Sequence, residues 1–160
     1  MSKTAIFPGT FDPITIGHYE IVQRALPIFD KIIVAIGHNT QKKTLLPVEE
    51  RQRLINILFE DTPQVSCEIY QGLTAEYCKQ SGVFNLIRGL RSAADFDYEK
   101  QIAQLNKALD TRVETIFLIS SPHFSHISSS IVREIMLNKG DARNFIPEKI
   151  REYFVPESFS

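Results

Sequence analysis

The sequence has little cysteine, no tryptophan and no long apolar run. Its 160 residues include two cysteines, Cys67 and Cys78, which form no CxxC pair. A secreted disulfide framework is therefore not indicated, and we expect packed thiols in a cytoplasmic protein. Apolar stretches such as Lys31–Ile36 are far too short to span a bilayer. The N-terminus also lacks the pattern of a secretory signal, so we expect no association with a membrane.

An excess of charge of one sign is also absent. Lysine and arginine together number 18, aspartate and glutamate number 19, and the formal net charge is -1. This balance gives no indication of a nucleic-acid-binding surface. Hydrophobic residues make up 43% of the chain and charged residues 23%, close to the average for a globular protein. We expect a single domain over residues 1–160, long enough for one substantial core.

Short apolar or β-branched segments alternate with segments of helical spacing along the whole chain. The predicted strands are Lys3–Phe7, Lys31–Ile36, Gln64–Tyr70, Asn85–Ile87 and Thr115–Ile119. The predicted helices are His18–Phe29, Val48–Phe59, Thr74–Gln80, Asp95–Leu109, Ser129–Asn138 and a last helix after Pro147. Such alternation implies right-handed crossovers and parallel strands. We therefore predict a three-layer, Rossmann-like α/β fold with a five-stranded parallel sheet, whose ligands bind beyond the carboxyl ends of the strands.

The helix predicted at Asp95–Leu109 has a regular apolar pattern. Tyr98, Ile102, Leu105 and Leu109 follow one another at spacings of three or four residues. This spacing predicts an apolar stripe along one side of the helix.

The junction between the first strand and the first helix, Phe7–His18, is long and rich in glycine and proline. Gly9 and Gly17 let the backbone approach a bulky anion closely, and a helix N-terminus binds phosphate through free N–H groups. Thr10 supplies a hydroxyl donor. His18 falls in the first helical turn, where a cationic or proton-donating imidazole can stabilise charge on a phosphate. The alternative is a tightly packed loop with His18 as an ordinary surface residue.

A second junction carries Arg88 and Arg91 at the end of a short strand, with Gly89 between them. Arginine is a forked donor suited to phosphate oxygens. On the following helix, Asp95 and Glu99 lie four residues apart and share a face, from which they can position the arginines or accept from a ribose or a base. A solvated surface cluster of ion pairs remains the alternative.

A third junction has three consecutive serines, Ser128–Ser130, at the start of a helix that also carries Arg133. Hydroxyls and free N–H groups together form an anion cradle, and the arginine adds positive charge. Ordinary capping of the helix explains at least one of the serines equally well.

Two further signals are weak. Lys42 and Lys43 follow the second strand and can deliver an ammonium to a phosphate, although such pairs are more often simply solvated. The pair His123 and His126 supplies two metal ligands with no clear third, so we do not predict a metal site there.

Three of these segments resemble a known family. Pro8–His18 resembles the TxGH signature of the nucleotidylyltransferase superfamily, and Ile127–Arg133 resembles its second signature. The block Arg88–Glu99 is similar to that of bacterial phosphopantetheine adenylyltransferases, which make dephospho-coenzyme A, and the resemblance covers essentially the whole chain. It implies reversible adenylyl transfer from ATP to 4′-phosphopantetheine in coenzyme A biosynthesis. It also implies Mg2+ as cofactor, carried largely by the ATP phosphates, and assembly into a homohexamer.

The resemblance also implies roles for individual residues. His18 would stabilise the transition state at the α-phosphorus. The expected acceptor-binding residues are Thr10, Lys42, Thr74 and Arg88, with Tyr98 and Asn106 in the acceptor pocket. The expected nucleotide-binding residues are Thr10, Phe11, His18, Gly89, Leu90, Arg91, Glu99, Phe124, Ser125, His126, Ile127, Ser128, Ser129 and Ser130. We expect no metal ligand from the chain itself, because no acidic cage is visible.

Two alternatives remain at this stage. One keeps the chemistry with another acceptor, such as nicotinamide mononucleotide or a sugar or glycerol phosphate. The other is a non-catalytic nucleotide-binding or sensor module. The sequence departs from the family's usual pattern at Ile16, Gly72, Thr74 and His126, and none of these positions removes a charged group from the proposed phosphate chemistry.

Overall fold

The computed structural model describes residues 2–156 and has a five-stranded sheet at its centre. The strands are β1 (Thr4–Gly9), β2 (Lys31–Gly37), β3 (Val65–Tyr70), β4 (Asn85–Leu90) and β5 (Glu114–Ile119). The α-helices are α1 (Ile16–Ala25), α2 (Val48–Leu58), α3 (Thr74–Ser81), α4 (Ala93–Leu109) and α5 (Ser129–Leu137). All neighbouring strands are parallel, which confirms the predicted Rossmann-like α/β class.

The strand order is β3-β2-β1-β4-β5. The chain moves outward from β1 to β3, and then returns to place β4 on the other side of β1. The direction of winding therefore reverses between β1 and β4. Ligands of open α/β sheets bind at such a reversal, outside the carboxyl ends of the strands.

Side chains from both faces of the sheet are buried, as a three-layer fold requires. Ala5 and Phe7 of β1 belong to a large cluster with residues of α1, α2 and α5. Ile6, the residue between them, belongs to a smaller cluster with Tyr77 and Cys78 of α3. Successive residues of a strand point to opposite faces, so β1 contributes to both layers of packing.

The first helix differs from its predicted range at both ends. It begins at Ile16, because Thr15 caps it, and it ends at Ala25 rather than Phe29. Pro27 explains the early end, since proline has no N–H to continue the helical hydrogen bonding, although Leu26 before it still has helical dihedral angles. His18 consequently lies in the first turn, as expected.

The C-terminal part also differs from the prediction. The last helix after Pro147 is a 3-10 helix over Glu148–Phe154, preceded by a 3-10 turn at Arg143–Phe145. Ile150 and Phe154 are buried, so the segment packs against the main core although it lacks α-helical hydrogen bonding.

The apolar stripe predicted on α4 does not face the core. Tyr98, Leu105 and Leu109 are 65%, 53% and 51% exposed. The buried residues of α4 are instead Glu99 and Asn106. Glu99 and Asn106 are buried because they line the cavities at the end of the sheet, whereas Leu105 and Leu109 line neither cavity and stay uncovered in the single chain.

Two expectations drawn from what the sequence lacks can be checked. Cys67 and Cys78 are both free, and burial raises their pKa values to about 12 and about 11. The prediction of packed thiols is therefore confirmed. Within residues 2–156, no helix has the length and apolar character needed to cross a membrane.

Candidate active site

A cleft of about 310 Å³ opens where β1 and β4 diverge, and we call it the main cleft. It gathers residues from all three predicted junctions and from the loop after β2. The predicted site residues that line it are Thr10, Phe11, His18, Lys42, Arg88, Gly89, Arg91, Glu99, Phe124, Ile127, Ser128, Ser129 and Ser130. Leu90, Ser125 and His126 do not line it, and Thr74 lines a neighbouring cavity instead.

The loop after β1 is shaped by close packing of glycine and aromatic rings. A Cβ on Gly9 would lie 3.0 Å from the ring of Phe11, so a side chain at this position would have to displace the ring by a few tenths of an ångström. Phe11 has a positive φ of 50° and is buried. Its ring meets the His18 ring edge-on, with centroids 5.0 Å apart. The aromatic contact holds the imidazole at the wall of the cleft.

The capping of α1 fixes one nitrogen of His18. The Thr15 hydroxyl accepts from the His18 backbone N–H at 3.4 Å, and the Thr15 backbone N–H donates to Nδ1 of His18 at 3.0 Å. Burial, followed by the charges of Arg88 and Arg91, lowers the pKa of His18 from 6.5 to about 3. Of the two forms considered from sequence, the structure therefore favours the neutral, proton-donating imidazole over the cation.

Arg88 points from β4 towards the cleft and is held on two sides. Its Nε and Nη2 donate to the Glu99 carboxylate at 2.8 and 2.6 Å, and its Nη1 donates to the carbonyl of Pro8. Glu99 is 8% exposed, so this pair is not a solvated surface contact. A bidentate pair of this kind sets the orientation of the guanidinium.

Arg91 joins the same end of the sheet to the serine loop. It pairs with Asp95 through Nε at 3.1 Å and donates through Nη1 to the carbonyl of Ile127 at 3.2 Å. Arg91 itself is exposed, so the ion pair is solvated and contributes little to stability. The carbonyl contact links the third junction to the second.

The serine run caps its helix and also lines the main cleft. Ser128 caps α5 by accepting from the N–H of Ile131 at 3.2 Å. Ser129 donates to the carbonyl of Pro13 at 2.9 Å, which ties α5 to the first loop. Because the three serines also line the main cleft, the start of α5 presents its hydroxyl and N–H groups to the region that an anion would occupy.

A second cavity of about 280 Å³ adjoins the main cleft. Thr74 lines it together with Tyr70, whose hydroxyl is 2.9 Å from the Thr74 hydroxyl. The buried Asn106 and the side chain of Tyr98 also line it. The two cavities share five residues, Pro8, Gly9, Thr10, Arg88 and Glu99. Two ligands can therefore meet at one wall.

Comparisons with known proteins identify the family of this chain. Residues 6–135 match a family model described as cytidylyltransferase-like. A phosphopantetheine adenylyltransferase of Cytophaga hutchinsonii is 51% identical over 150 residues, which cover 94% of this chain and 100% of the relative. Another of that name, from Flavobacterium psychrophilum, is 48% identical over 149 residues, 93% of this chain and 98% of the relative.

The chain belongs to the phosphopantetheine adenylyltransferase family. A solved structure with a similar fold is a bifunctional NMN adenylyltransferase/ADP ribose pyrophosphatase from Francisella tularensis. It aligns with a TM-score of 0.64 and 13% identity over 99% of this chain and 46% of that chain. At that identity the likeness concerns the fold alone.

In this member of the phosphopantetheine adenylyltransferase family, three supporting residues escaped the sequence analysis. Asp12 is buried and accepts from the N–H groups of Leu45 and Leu46, both at 2.8 Å. Arg51 is buried and donates to the carbonyl of Thr10 at 2.7 Å. Together they hold the loop that carries Lys42 against the loop that carries Thr10. The third residue, Thr15, precedes His18 by three positions, the spacing of a capping box, and could have been found from that pattern.

Metal ligands are not concentrated at the site. Among residues 2–156, no group of three or more His, Cys, Asp or Glu side chains is placed to hold a metal ion. His126 instead packs edge-on against Phe145, with ring centroids 6.5 Å apart.

Proposed function

We propose that this chain transfers the adenylyl group of ATP reversibly to 4′-phosphopantetheine, giving dephospho-coenzyme A and pyrophosphate in coenzyme A biosynthesis. The observation that carries the proposal is the junction of the two cavities at Thr10 and Arg88, beside His18. The relatives named phosphopantetheine adenylyltransferase are 51% and 48% identical over nearly the whole chain, which supports 4′-phosphopantetheine rather than nicotinamide mononucleotide as the acceptor.

The chemistry is a direct in-line displacement. An oxygen of the acceptor phosphate attacks the α-phosphorus of ATP, and pyrophosphate leaves. The nucleophile is already an anion, so no strong general base is required. The work of the protein is to hold two polyanions together and to stabilise added charge, which positioning and preorganised donors can achieve.

The acceptor side is formed where the two cavities meet. Lys42 and Arg88 hold the acceptor phosphate, and Thr74 and Asn106 line the cavity for the pantetheine arm. Support comes from the placement of Arg88 in both cavities and of Thr74 in the second. Thr10, shared by the two cavities, contacts the phosphate that is transferred.

The nucleotide lies in the main cleft. Phe11, Gly89 and Arg91 enclose it together with Phe124 and Ile127, and the serines at the start of α5 receive its phosphates. The positive charges of Arg91 and Arg133 at this cleft support that placement. Glu99 completes the nucleotide set that the resemblance implies, although its contacts in the structure go to Arg88.

Magnesium enters with the substrate, as magnesium-ATP. Phosphate oxygens would supply most of its ligands, and when bound it would offset negative charge on the leaving pyrophosphate. The polar residues of the main cleft fit this arrangement, because most of them are cations and hydroxyls that bind phosphate rather than the metal.

We further propose that the enzyme works in the cytoplasm as a homohexamer. The free thiols of Cys67 and Cys78 suit a reducing compartment. The apolar side of α4, exposed in the single chain, offers surface that a neighbouring copy can cover.

The test is pyrophosphate release from magnesium-ATP, with 4′-phosphopantetheine and nicotinamide mononucleotide assayed in parallel. We expect release with phosphopantetheine and its loss in His18→Ala, mainly through kcat, because His18 stabilises the transition state. His123→Ala, which removes an exposed histidine outside both cavities, is the matched control and should keep full activity.

Each other outcome has a definite meaning. Release only with nicotinamide mononucleotide would keep the chemistry and replace the acceptor. Unchanged turnover in His18→Ala would remove the role of that residue. ATP binding without pyrophosphate release from either acceptor would identify a nucleotide-binding module instead.

A further inference from the structure

The segment that follows β5, residues 120–127, forms one wall of the main cleft, and we call it the β5 loop. Ser120, Phe124 and Ile127 line the cleft. Two turns shape the loop, in which the N–H of Phe124 donates to the carbonyl of Ser121 at 2.9 Å and the N–H of Ile127 donates to that of Phe124 at 3.0 Å. Ile127 is buried, and the other residues of the loop are partly or fully exposed. Contacts with neighbouring elements must therefore decide where the loop lies.

The β5 loop is held at both of its ends. At the far end, the carbonyl of Ile127 accepts from Nη1 of Arg91 at 3.2 Å. At the near end, one carboxylate oxygen of Glu20 accepts from the Ser121 backbone N–H at 3.3 Å, and the other accepts from the Ser121 hydroxyl. Glu20 and Ser121 are 101 positions apart in the sequence, so this contact joins α1 to the loop across the fold.

Glu20 is itself held in place on α1. Its side chain is 13% exposed, and Nη1 of Arg24, one turn further along the helix, lies 3.5 Å from one of its carboxylate oxygens. The same arginine nitrogen donates to the carbonyl of Ile119, the last residue of β5. Two side chains of α1 therefore hold the end of β5 and the start of the loop after it. The bonds to Glu20 involve a carboxylate, and charge-assisted bonds are stronger than neutral ones.

Close packing of α1 on the sheet brings Glu20 within reach of the loop. A Cβ at Gly89 of β4 would lie 3.1 Å from Cγ1 of Ile21, the residue after Glu20. A side chain at position 89 would therefore push Ile21 away by a few tenths of an ångström. Because α1 also carries His18, the helix sets the position of the β5 loop relative to that histidine.

The chemistry of the β5 loop indicates which part of ATP it would meet. The cations and the serines of the main cleft suit the phosphates. By contrast, the cleft-lining residues Ser120, Phe124 and Ile127 supply a hydroxyl, an aromatic ring and an aliphatic side chain, none of them charged. An aromatic ring can stack on a base. The nucleoside end of ATP would therefore lie against this loop.

We propose that Glu20 is a positioning residue of the nucleotide site, and that by holding Ser121 it keeps the β5 loop in the arrangement that receives the nucleoside end of ATP. The proposal rests on the proposed function, which places ATP in the main cleft. Glu20 lines neither of the two cavities, so it acts through the loop. Without this contact the loop would be correctly placed for only part of the time, and the apparent Kd for ATP would rise by the inverse of that fraction.

The test compares equilibrium binding of magnesium-ATP and of inorganic pyrophosphate by calorimetry, without an acceptor. In Glu20→Ala we expect the Kd for ATP to rise about tenfold, the effect of losing one charge-assisted contact. The Kd for pyrophosphate should not change, because pyrophosphate needs only the cations and serines. Glu20→Gln should stay close to the wild type, since its amide oxygen can accept from the Ser121 N–H while its NH₂ donates to the hydroxyl. Gln23→Ala, on the same helix and outside both cavities, is the control and should change neither Kd.

A second variant tests the contact itself. Ser121→Ala removes only the hydroxyl, so it should weaken ATP binding less than Glu20→Ala and should add little when the two are combined. Fully additive effects would overturn the proposal. If Glu20→Ala does not fold, Ser121→Ala carries the test alone and should still raise the Kd for ATP but not that for pyrophosphate.

Two results of the binding experiment would also refute the role of Glu20. One is an unchanged Kd for ATP in Glu20→Ala, and the other is an equal loss of affinity for ATP and pyrophosphate, which would indicate a general disturbance of the fold. Failure of the proposed function is distinguishable from both. A wild type that binds ATP but releases no pyrophosphate with either acceptor would reject the adenylyl transfer, and the binding comparison would still decide the role of Glu20.

Discussion

Glu99 stands between two roles. The family resemblance assigns it to ATP, whereas its carboxylate grips Arg88, which we place on the acceptor phosphate. If the contact with Arg88 is what matters, Glu99→Gln should loosen the guanidinium and raise the acceptor KM about tenfold, a change of ~1.4 kcal/mol, because one charge-assisted bond becomes a neutral one. The ATP KM should change little. Steady-state kinetics with each substrate varied in turn measures both values.

A matched control exists on the surface. Asp141 pairs with Arg143 in the same bidentate manner, but both side chains are about half exposed. Asp141→Asn should leave both KM values unchanged, since exposed pairs contribute little and this one lies outside both cavities. If Glu99→Gln raises only the KM for ATP, Glu99 acts in binding the nucleotide and not through Arg88.

The residues that sequence reasoning found and those it missed differ in kind. His18, Arg88 and the serine run stand out because their chemistry and their place at a junction can both be read locally. Asp12 and Arg51 contact backbone groups more than thirty positions away, at Leu45 and Leu46 for Asp12 and at Thr10 for Arg51. No local pattern reveals a partner at that distance, so their roles needed the folded chain.

At the scale of elements, Arg51 on α2 connects two loops of the site. It is 2% exposed and donates to the carbonyls of Thr10 and Leu46. A lysine has one ammonium and cannot reach both acceptors in the same geometry. We expect Arg51→Lys to lower the free energy of unfolding by about 1–3 kcal/mol, the cost of a buried acceptor left without a partner. Urea denaturation provides the measurement.

The same variant should also affect the substrate. The loop that carries Lys42 loses part of its anchor, so the KM for the acceptor should rise more than the KM for ATP. The control is Arg53→Lys, two residues further along the same helix, where the arginine pairs with Glu50 at the surface. It should change neither quantity appreciably. Equal stability of Arg51→Lys and Arg53→Lys would show that the hydrogen bonds of Arg51 to the two loops do not stabilise the fold.

Element types could be predicted from sequence, whereas ends and neighbours could not. Hydrophobic spacing located all five strands and the α-helices between them. The start of α1 at Ile16 depends on the Thr15 cap, and the 3-10 geometry after Pro147 depends on packing of Ile150 and Phe154 against the core. The position of β4 beside β1 brings the site together. This strand order depends on tertiary packing, and the periodicity of a strand does not predict it.

At the scale of the whole molecule, the exposed side of α4 is the feature that a single chain leaves unexplained. The sequence pattern correctly marked it as apolar, but the inner side of the helix is taken by Glu99 and Asn106 at the cavities. Leu105 and Leu109 are each more than half exposed, so burying them against another copy would be favourable by roughly 25 cal/mol for each Å² removed from water. This surface is where we expect copies to meet.

The proposed hexamer makes this expectation measurable. Light scattering coupled to size exclusion should give a mass six times the 18.3 kDa of one chain. Replacing Leu105 and Leu109 together by lysine should lower that mass, because charges at an apolar contact would have to be desolvated. Leu137→Lys, at a residue of α5 that is 68% exposed, is the control and should leave the mass unchanged. A hexamer that survives the double substitution would place the contact between copies elsewhere. A wild-type protein with the mass of a single chain would reject the assembly and leave the apolar side of α4 open to a different partner.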